Sequence, residues 1–394
     1  MRPRLFSSCL LTPEQLAPSQ QDMRVVGAFN PGAVTTEQGV VLLIRVAEAP
    51  RQIRPGFVGL PRWDLEAGKI VIDWLAEQEL IVEDARVVKI RETGLLRLTS
   101  TSHLRVVRSA DGRQIEPSEQ QILRPSLGCE SYGIEDPRIT PIDDHFYITY
   151  VAVSPHGAAT ALASTLDFSS FKFHGPIFCP ENKDVVLFPE RIGGHYFALH
   201  RPTTAHDFSR PEIWLASSPD LLHWGKHKPL LGSSAGWDCG RIGAGTPPIR
   251  TKEGWLVIYH GNNKGEGESG IGSYGAGKLL LDLDQPSKIL SAGEQILAPE
   301  MEYECLGFVP NVVFPTGIIQ QEDSLLIYAG AADTATCVVE LGLTDLLISD
   351  TSQLSRERGG MASPPTICGP LATPNTISSD LHLKSNSSDG LRRR

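Results

Sequence analysis

The chain has 394 residues, 41% hydrophobic and 21% charged, with a mean hydropathy of −0.12, so it suits a soluble globular protein with one large core or two domains. A formal charge of −10 and a pI near 5.6 argue against a general polyanion binder, and no nucleic-acid partner is expected. No apolar run reaches the roughly 18–20 residues of a membrane span, so no membrane partner is expected either.

Along the chain, MRPRLFSSCLL carries two arginines and an apolar patch shorter than the ~7–15 residues of a signal peptide. Seven cysteines are scattered at 9, 129, 179, 239, 305, 337 and 368, without a CxxC or a Cys/His cluster. They support neither a zinc site nor a disulfide framework, and a cytoplasmic setting is expected. Residues 1–28 read as a lead-in packed on the outside of the domain.

From residue 29 the chain is dense in β-type runs such as VVLLIRV, FYITYVAV, HYFALH, WLVIYH and SLLIYAG. Five of them share one plan: an apolar lead-in, a turn with Gly or Asp, then a strongly apolar strand. The turns fall at Gly39, Asp144, Gly194, Gly254 and Asp323, separated by 105, 50, 60 and 69 residues. Such spacing predicts a β-propeller, in which inner strand ends converge on one channel. The long first interval leaves room for an insertion, and DWLAEQELIVEDARVVK (73–89) is expected to hold outer strands of the first blade. Beyond residue 348 the composition turns to Ser, Thr, Pro and Gly. Residues 349–394 therefore read as a disordered tail, and 29–348 as an all-β, five-bladed propeller domain.

Gly270, Gly272 and Gly275 formally match a dinucleotide fingerprint, but no βαβ context surrounds them, so they read as a blade connection. The informative residues stand at the edges of the repeats: Glu135-Asp136-Pro137-Arg138, Asn182-Lys183-Asp184, His200-Arg201-Pro202, Tyr259-His260-Gly261 and Ala331-Ala332-Asp333-Thr334. Carboxylates facing cations suit an acid-assisted displacement by an anionic nucleophile. Each residue also has a structural reading. Asp136 before a proline can cap a turn, His260 can be a core histidine, and Arg201 can pair with a carboxylate between blades. Trp214, Trp224 and Trp255 read as blade core, and SPDLLHW (218–224) as a turn in which Asp220 bonds backbone amides.

The ordered motifs EDPRIT, KDVVLFPERIGGHYFALHRP, IWLASSPDLLHWG, GAGTPPIRTKEGWLVIYHG, LLLDLDQPSKIL, VPNVVFPTG and GAADT resemble glycoside hydrolase family 130 over roughly residues 29–347. The resemblance implies a five-bladed propeller and inverting phosphorolysis of a β-mannoside, of β-1,4-mannooligosaccharide or mannosyl-glucose type, giving α-mannose 1-phosphate. It implies Asp136 as general acid, and Lys183, Arg201, His260 and Tyr274 as phosphate-binding residues. Arg45, Arg108, Glu302, Glu304 and Asp333 match substrate-pocket positions. The partners implied are the mannoside and inorganic phosphate, with no metal or organic cofactor; homo-oligomer formation is left open. Many members carry Arg after the tyrosine matching Tyr274, whereas this chain has Gly275. Alternatives on the same fold are an inverting hydrolase, with Glu302 or Glu304 among the candidate bases, and a carbohydrate-binding propeller without turnover.

Overall fold

A computed structural model describes residues 1–115, 121–203, 210–263 and 272–347. It is an all-β structure whose helices are single turns, such as Glu302–Cys305. The expected tail, 349–394, lies outside the described residues.

Each of the five repeats forms the first hairpin of an antiparallel sheet. Met23–Thr36 pairs with Gly39–Pro50, Gly133–Ile142 with His145–Ser154, Asn182–Leu187 with Tyr196–Pro202, Ile249–Arg250 with Trp255–Asn262, and Val313–Gln321 with Ser324–Ala331. The turn residues explain themselves: Gly39 and Gly254 have φ of +110° and +150°, where a side chain would be strained. Hydrogen bonding joins the first two sheets through a single parallel pair, Gly133 with Ser102.

Alternation of apolar residues along these strands supplies two faces for burial. The large hydrophobic clusters lie between consecutive sheets. Leu104 and Ile148 meet between the first and second, Leu162 and Ala198 between the second and third. Leu199 and Val257 meet between the third and fourth, Ile258 and Ile327 between the fourth and fifth. A further cluster joins Leu326 of the fifth sheet to Leu42 and Ile44 of the first, so the packing runs in a cycle.

Two expectations are corrected. Residues 1–28 are not an external lead-in: Phe6–Leu11 is the edge strand of the fifth sheet, paired with Ala335–Gly342, and Met23 already belongs to the first. The segment 73–89 is not made of outer strands of the first sheet. It belongs to an insertion between Gly39–Pro50 and Thr101–Ser109, folded as a two-stranded ribbon (Phe57–Asp64 with Lys69–Ala76) and a three-stranded sheet (Leu80–Val82, Val87–Ile90, Leu96–Leu98). Its own cores, around Trp63 and Leu60, explain why it reads as β from sequence.

Candidate active site

One local device recurs where the first strands reach the centre. Each of the first three sheets has a break in register in its first strand, spanning Asn30-Pro31, Asp136-Pro137 and Asp184-Val185. A β-bulge re-aims a side chain and ends regular pairing, and proline, lacking an N–H, is tolerated there. Asn30, Asp136 and Asp184 have φ of 51°, 49° and 55°, and Asp333 at the end of the fifth sheet's hairpin has 50°. Asn and Asp are the non-glycine residues that accept this left-handed backbone most readily. Such strain of about 1–3 kcal/mol per residue gathers at functional sites.

These residues line a cavity of about 940 Å³. On one side, Asp136 Oδ1 accepts hydrogen bonds from Asn30 Nδ2 and Arg45 Nη1, both at 2.9 Å. Arg45 also reaches Glu135 Oε1 at 2.8 Å and Ser102 Oγ at 3.1 Å. Burial alone would raise the Asp136 carboxyl. Arg45, Arg138, the Asn30 bond and Lys183 outweigh it and hold the carboxyl below the usual range. Asp333 is opposite in sense: burial pushes it up, and Arg45 and Arg86 only partly offset that.

On the other side stands Asp184, buried and enclosed by cations. Its Oδ1 accepts from Arg138 Nη2 at 3.0 Å, and its Oδ2 lies 2.7 Å from Arg201 Nε and 3.1 Å from His260 Nε2. Burial opposes its charge, but Arg201, His260 and Arg138 hold the carboxyl well below the usual range. Arg138 links the two halves, since its Nη1 donates to the backbone carbonyl of Asp136 at 2.9 Å. Gly243 is required behind Asp184: a Cβ there would collide with the carboxylate and with the His260 ring. His260 is fully buried, stacked on Phe314 at 4.1 Å, with Nδ1 unpartnered among the described residues. Burial lowers its pKa, so it stands as a neutral ring that buttresses the cavity without lining it. Lys183, Arg201 and Tyr274 do line the cavity.

The other sequence candidates divide. Arg45 and Asp333 are at the cavity. Arg108 is not: it lies on Thr101–Ser109, away from the lining, and reaches toward the Asp167 carbonyl at 3.5 Å. Glu302 is exposed on the short helix. Glu304 is buried outside the lining, where it binds Arg4 at 2.7 and 3.0 Å and caps the amides of Glu300 and Met301. Neither glutamate lines this cavity, and Glu304 has a structural task.

The family model described as beta-1,4-mannooligosaccharide phosphorylase, of glycoside hydrolase family 130, matches residues 97–348. A beta-1,2-mannobiose phosphorylase from Listeria innocua is 39% identical over 86% of this chain and 95% of its own length. A 1,2-beta-oligomannan phosphorylase from Thermoanaerobacter sp. is 36% identical over 60% of this chain and 78% of its own. The structure of the Listeria enzyme in complex with beta-1,2-mannobiose superposes with a TM-score of 0.80, covering 86% of this chain and 96% of that one. The chain belongs to glycoside hydrolase family 130. Its enzyme class is that of the glycoside phosphorylases.

Some cavity residues go beyond a reading of the repeat edges. Asp184 stands in the Asn182-Lys183-Asp184 edge motif, but only the structure shows that Arg138, Arg201 and His260 surround it. Arg241 lines the cavity without an ion-pair partner among the described residues, and it acts on the Tyr274 phenol together with Arg201. Its signal was weak, a lone arginine in a glycine-rich loop. Arg86 comes from the insertion and lies 3.5 Å from Asp333, so the insertion closes over the cavity.

Proposed function

We propose that this enzyme cleaves β-1,2-linked mannosides with inorganic phosphate, inverting the anomeric centre to release α-mannose 1-phosphate and a shortened acceptor. The catalytic unit would be the five sheets arranged as blades of a propeller, a reading supported by the cyclic packing of the cores. The observation that carries the chemistry is the presence of uncommitted cations beside Asp136. Lys183 and Arg241 line the same cavity and make no ion pair among the described residues, in a protein of net charge −10. Arg201 adds a third cation already oriented by Asp184.

Phosphate is a nucleophile without a base, but it must approach a site rich in carboxylates. Cations at the reacting carbon offset that repulsion, and an arginine can hold two phosphate oxygens at once. In the proposed reaction Asp136 supplies the proton to the departing glycosidic oxygen. Its low pKa is maintained partly by Lys183. A bound phosphate would neutralise that lysine and bring negative charge close, which raises the carboxyl toward the protonated form the step needs. Tyr274 and the Arg45–Asp136 pair would orient phosphate and sugar. Metal ions and organic cofactors have no role in this scheme, and a cytoplasmic location suits a product that carries charge.

The β-1,2 linkage replaces the β-1,4 or mannosyl-glucose type expected from sequence. It is supported by the Listeria and Thermoanaerobacter relatives and by the greater share of the chain that the Listeria enzyme matches. The test is to incubate the protein with β-1,2-mannobiose and β-1,4-mannobiose, with and without phosphate, and to identify the products and their anomers by NMR. α-Mannose 1-phosphate formed from the β-1,2 substrate only when phosphate is present is the expected result. Free mannose released at equal rates in both conditions would mean hydrolysis, and preference for β-1,4-mannobiose would overturn the linkage.

A further inference from the structure

Side chains alternate along a strand, so the third sheet presents a face that takes no part in the site above. Lys183 and Arg201 reach the main cavity, whereas Asn182, His200 and Pro202 turn toward Phe178 at the end of the second sheet. A second cavity of about 530 Å³ lies there, within the roughly 300–1,000 Å³ of small-molecule sites. Phe178, Trp214 and Trp224 form its aromatic wall. The two tryptophans, read from sequence as core, are only partly buried, unlike Trp255, which is fully buried.

The polar groups of this cavity have a fixed polarity. Asn182 Nδ2 donates to His200 Nδ1 at 3.0 Å, which places the His200 proton on Nε2, facing His227 Nδ1 at 3.1 Å. Burial, reinforced by His227, lowers the His200 pKa to about 3, so the ring is neutral. The chain of bonds leaves two ends. Asn182 Oδ1 is an acceptor without a partner among the described residues, on a residue only 6% exposed, and the Nε2–H of exposed His227 is a donor. Glu212 adds a second acceptor; burial raises its carboxyl, and no cation pairs with it among the described residues. Arg210, tied to the Cys239 carbonyl, balances its charge.

A wall of aromatic rings beside separate acceptors and donors, with no surplus of either charge, disfavours an anion or a cation. It matches a neutral ring that packs its C–H face on an aromatic plane and offers hydroxyls, each both donor and acceptor. We propose that this cavity is a second carbohydrate site that binds a neutral pyranoside, separate from the Asp136 cavity and independent of the reaction proposed for it.

Titration calorimetry of the full chain with methyl β-mannoside, and separately with adenosine as an aromatic heterocycle, tests this. The expected result is a mannoside site that Trp214→Ala abolishes and Glu212→Gln weakens by about ten-fold, the scale of one hydrogen bond to a charged group, with kcat on disaccharide unchanged. If the main cavity binds no mannoside, a single site abolished by Trp214→Ala still supports the proposal. Mannoside binding indifferent to both substitutions, or occupation of the cavity by adenosine alone, overturns it. Should Trp214→Ala fail to fold, the size-conserving Glu212→Gln decides: unchanged mannoside binding overturns the proposal.

Discussion

Asp136 and Asp184 sit at equivalent bulges of the second and third sheets, share a left-handed backbone and are both held below the usual carboxylate range. Yet 11% of the Asp136 side chain is exposed to the cavity and 2% of the Asp184 side chain. Asp136 shares its Oδ1 between Asn30 and Arg45, whereas both Asp184 oxygens are committed to Arg138, Arg201 and His260. The same fold element thus turns one carboxylate toward the cavity and buries another among Arg138, Arg201 and His260. Depressed pKa alone does not tell them apart. Access does.

The comparison can be broken by substitution. Asp136→Asn should lower turnover by at least ~10²-fold, as expected for loss of a general acid, with a smaller loss of stability than the Asp184 variant; near-wild-type phosphorolysis rates would return Asp136 to a turn cap. Asp184→Asn should instead destabilise the fold by about 3–5 kcal/mol, because it leaves buried arginines without their anion, and should raise the KM for phosphate. Denaturant melts and phosphate titrations separate these two effects. The sign with pH follows. Both carboxyls have folded pKa values below the ordinary 3.8, so their ionised forms stabilise the protein above that value. The contribution is lost as pH falls from about 3.8 through the folded values, and Asp184→Asn should flatten that acid-side decline in the melting midpoint.

Smaller effects sharpen the division. Glu304→Gln should cost about 1–3 kcal/mol through its bonds to Arg4 and two amides while leaving kcat and KM unchanged; a loss of turnover without loss of stability would restore it as a candidate base. Arg241→Ala should raise the KM for phosphate by up to about ten-fold, the scale of one charge-assisted hydrogen bond, with kcat nearly constant. An unchanged KM would show that Lys183 and Arg201 suffice.

Much of this was legible in the chain because hairpin turns and apolar alternation are local properties. The five turn residues marked five first hairpins, and Asp220 accepts from the amides of Leu222 and His223 at 3.0 and 2.9 Å, as its turn motif suggested. Asp136, Lys183, Arg201, Tyr274, Arg45 and Asp333 reach one cavity because strand ends of successive sheets converge. What stayed hidden depends on register and direction. Arg108 lies near the outer end of its strand, and the period of two gave no sign of its distance from the centre. Glu304 sits in an acidic turn whose partner, Arg4, is 300 residues away. His260, expected among the phosphate-binding residues, does not line the cavity; its packing against Phe314 and Asp184 shows that it supports the cavity from behind.

The pairing of Phe6–Leu11 with Ala335–Gly342 has a consequence for biosynthesis. Phe6–Leu11 is made before nearly every other described strand and must wait for its partner. During that interval the backbone edge of Phe6–Leu11 is unpaired, and Leu10 and Leu11 lack the core they later share with Leu326 and Val338. Contact between such distant segments delays completion of the fold. The four earlier sheets can form as they emerge from the ribosome, and the fifth is completed only after translation has passed residue 342.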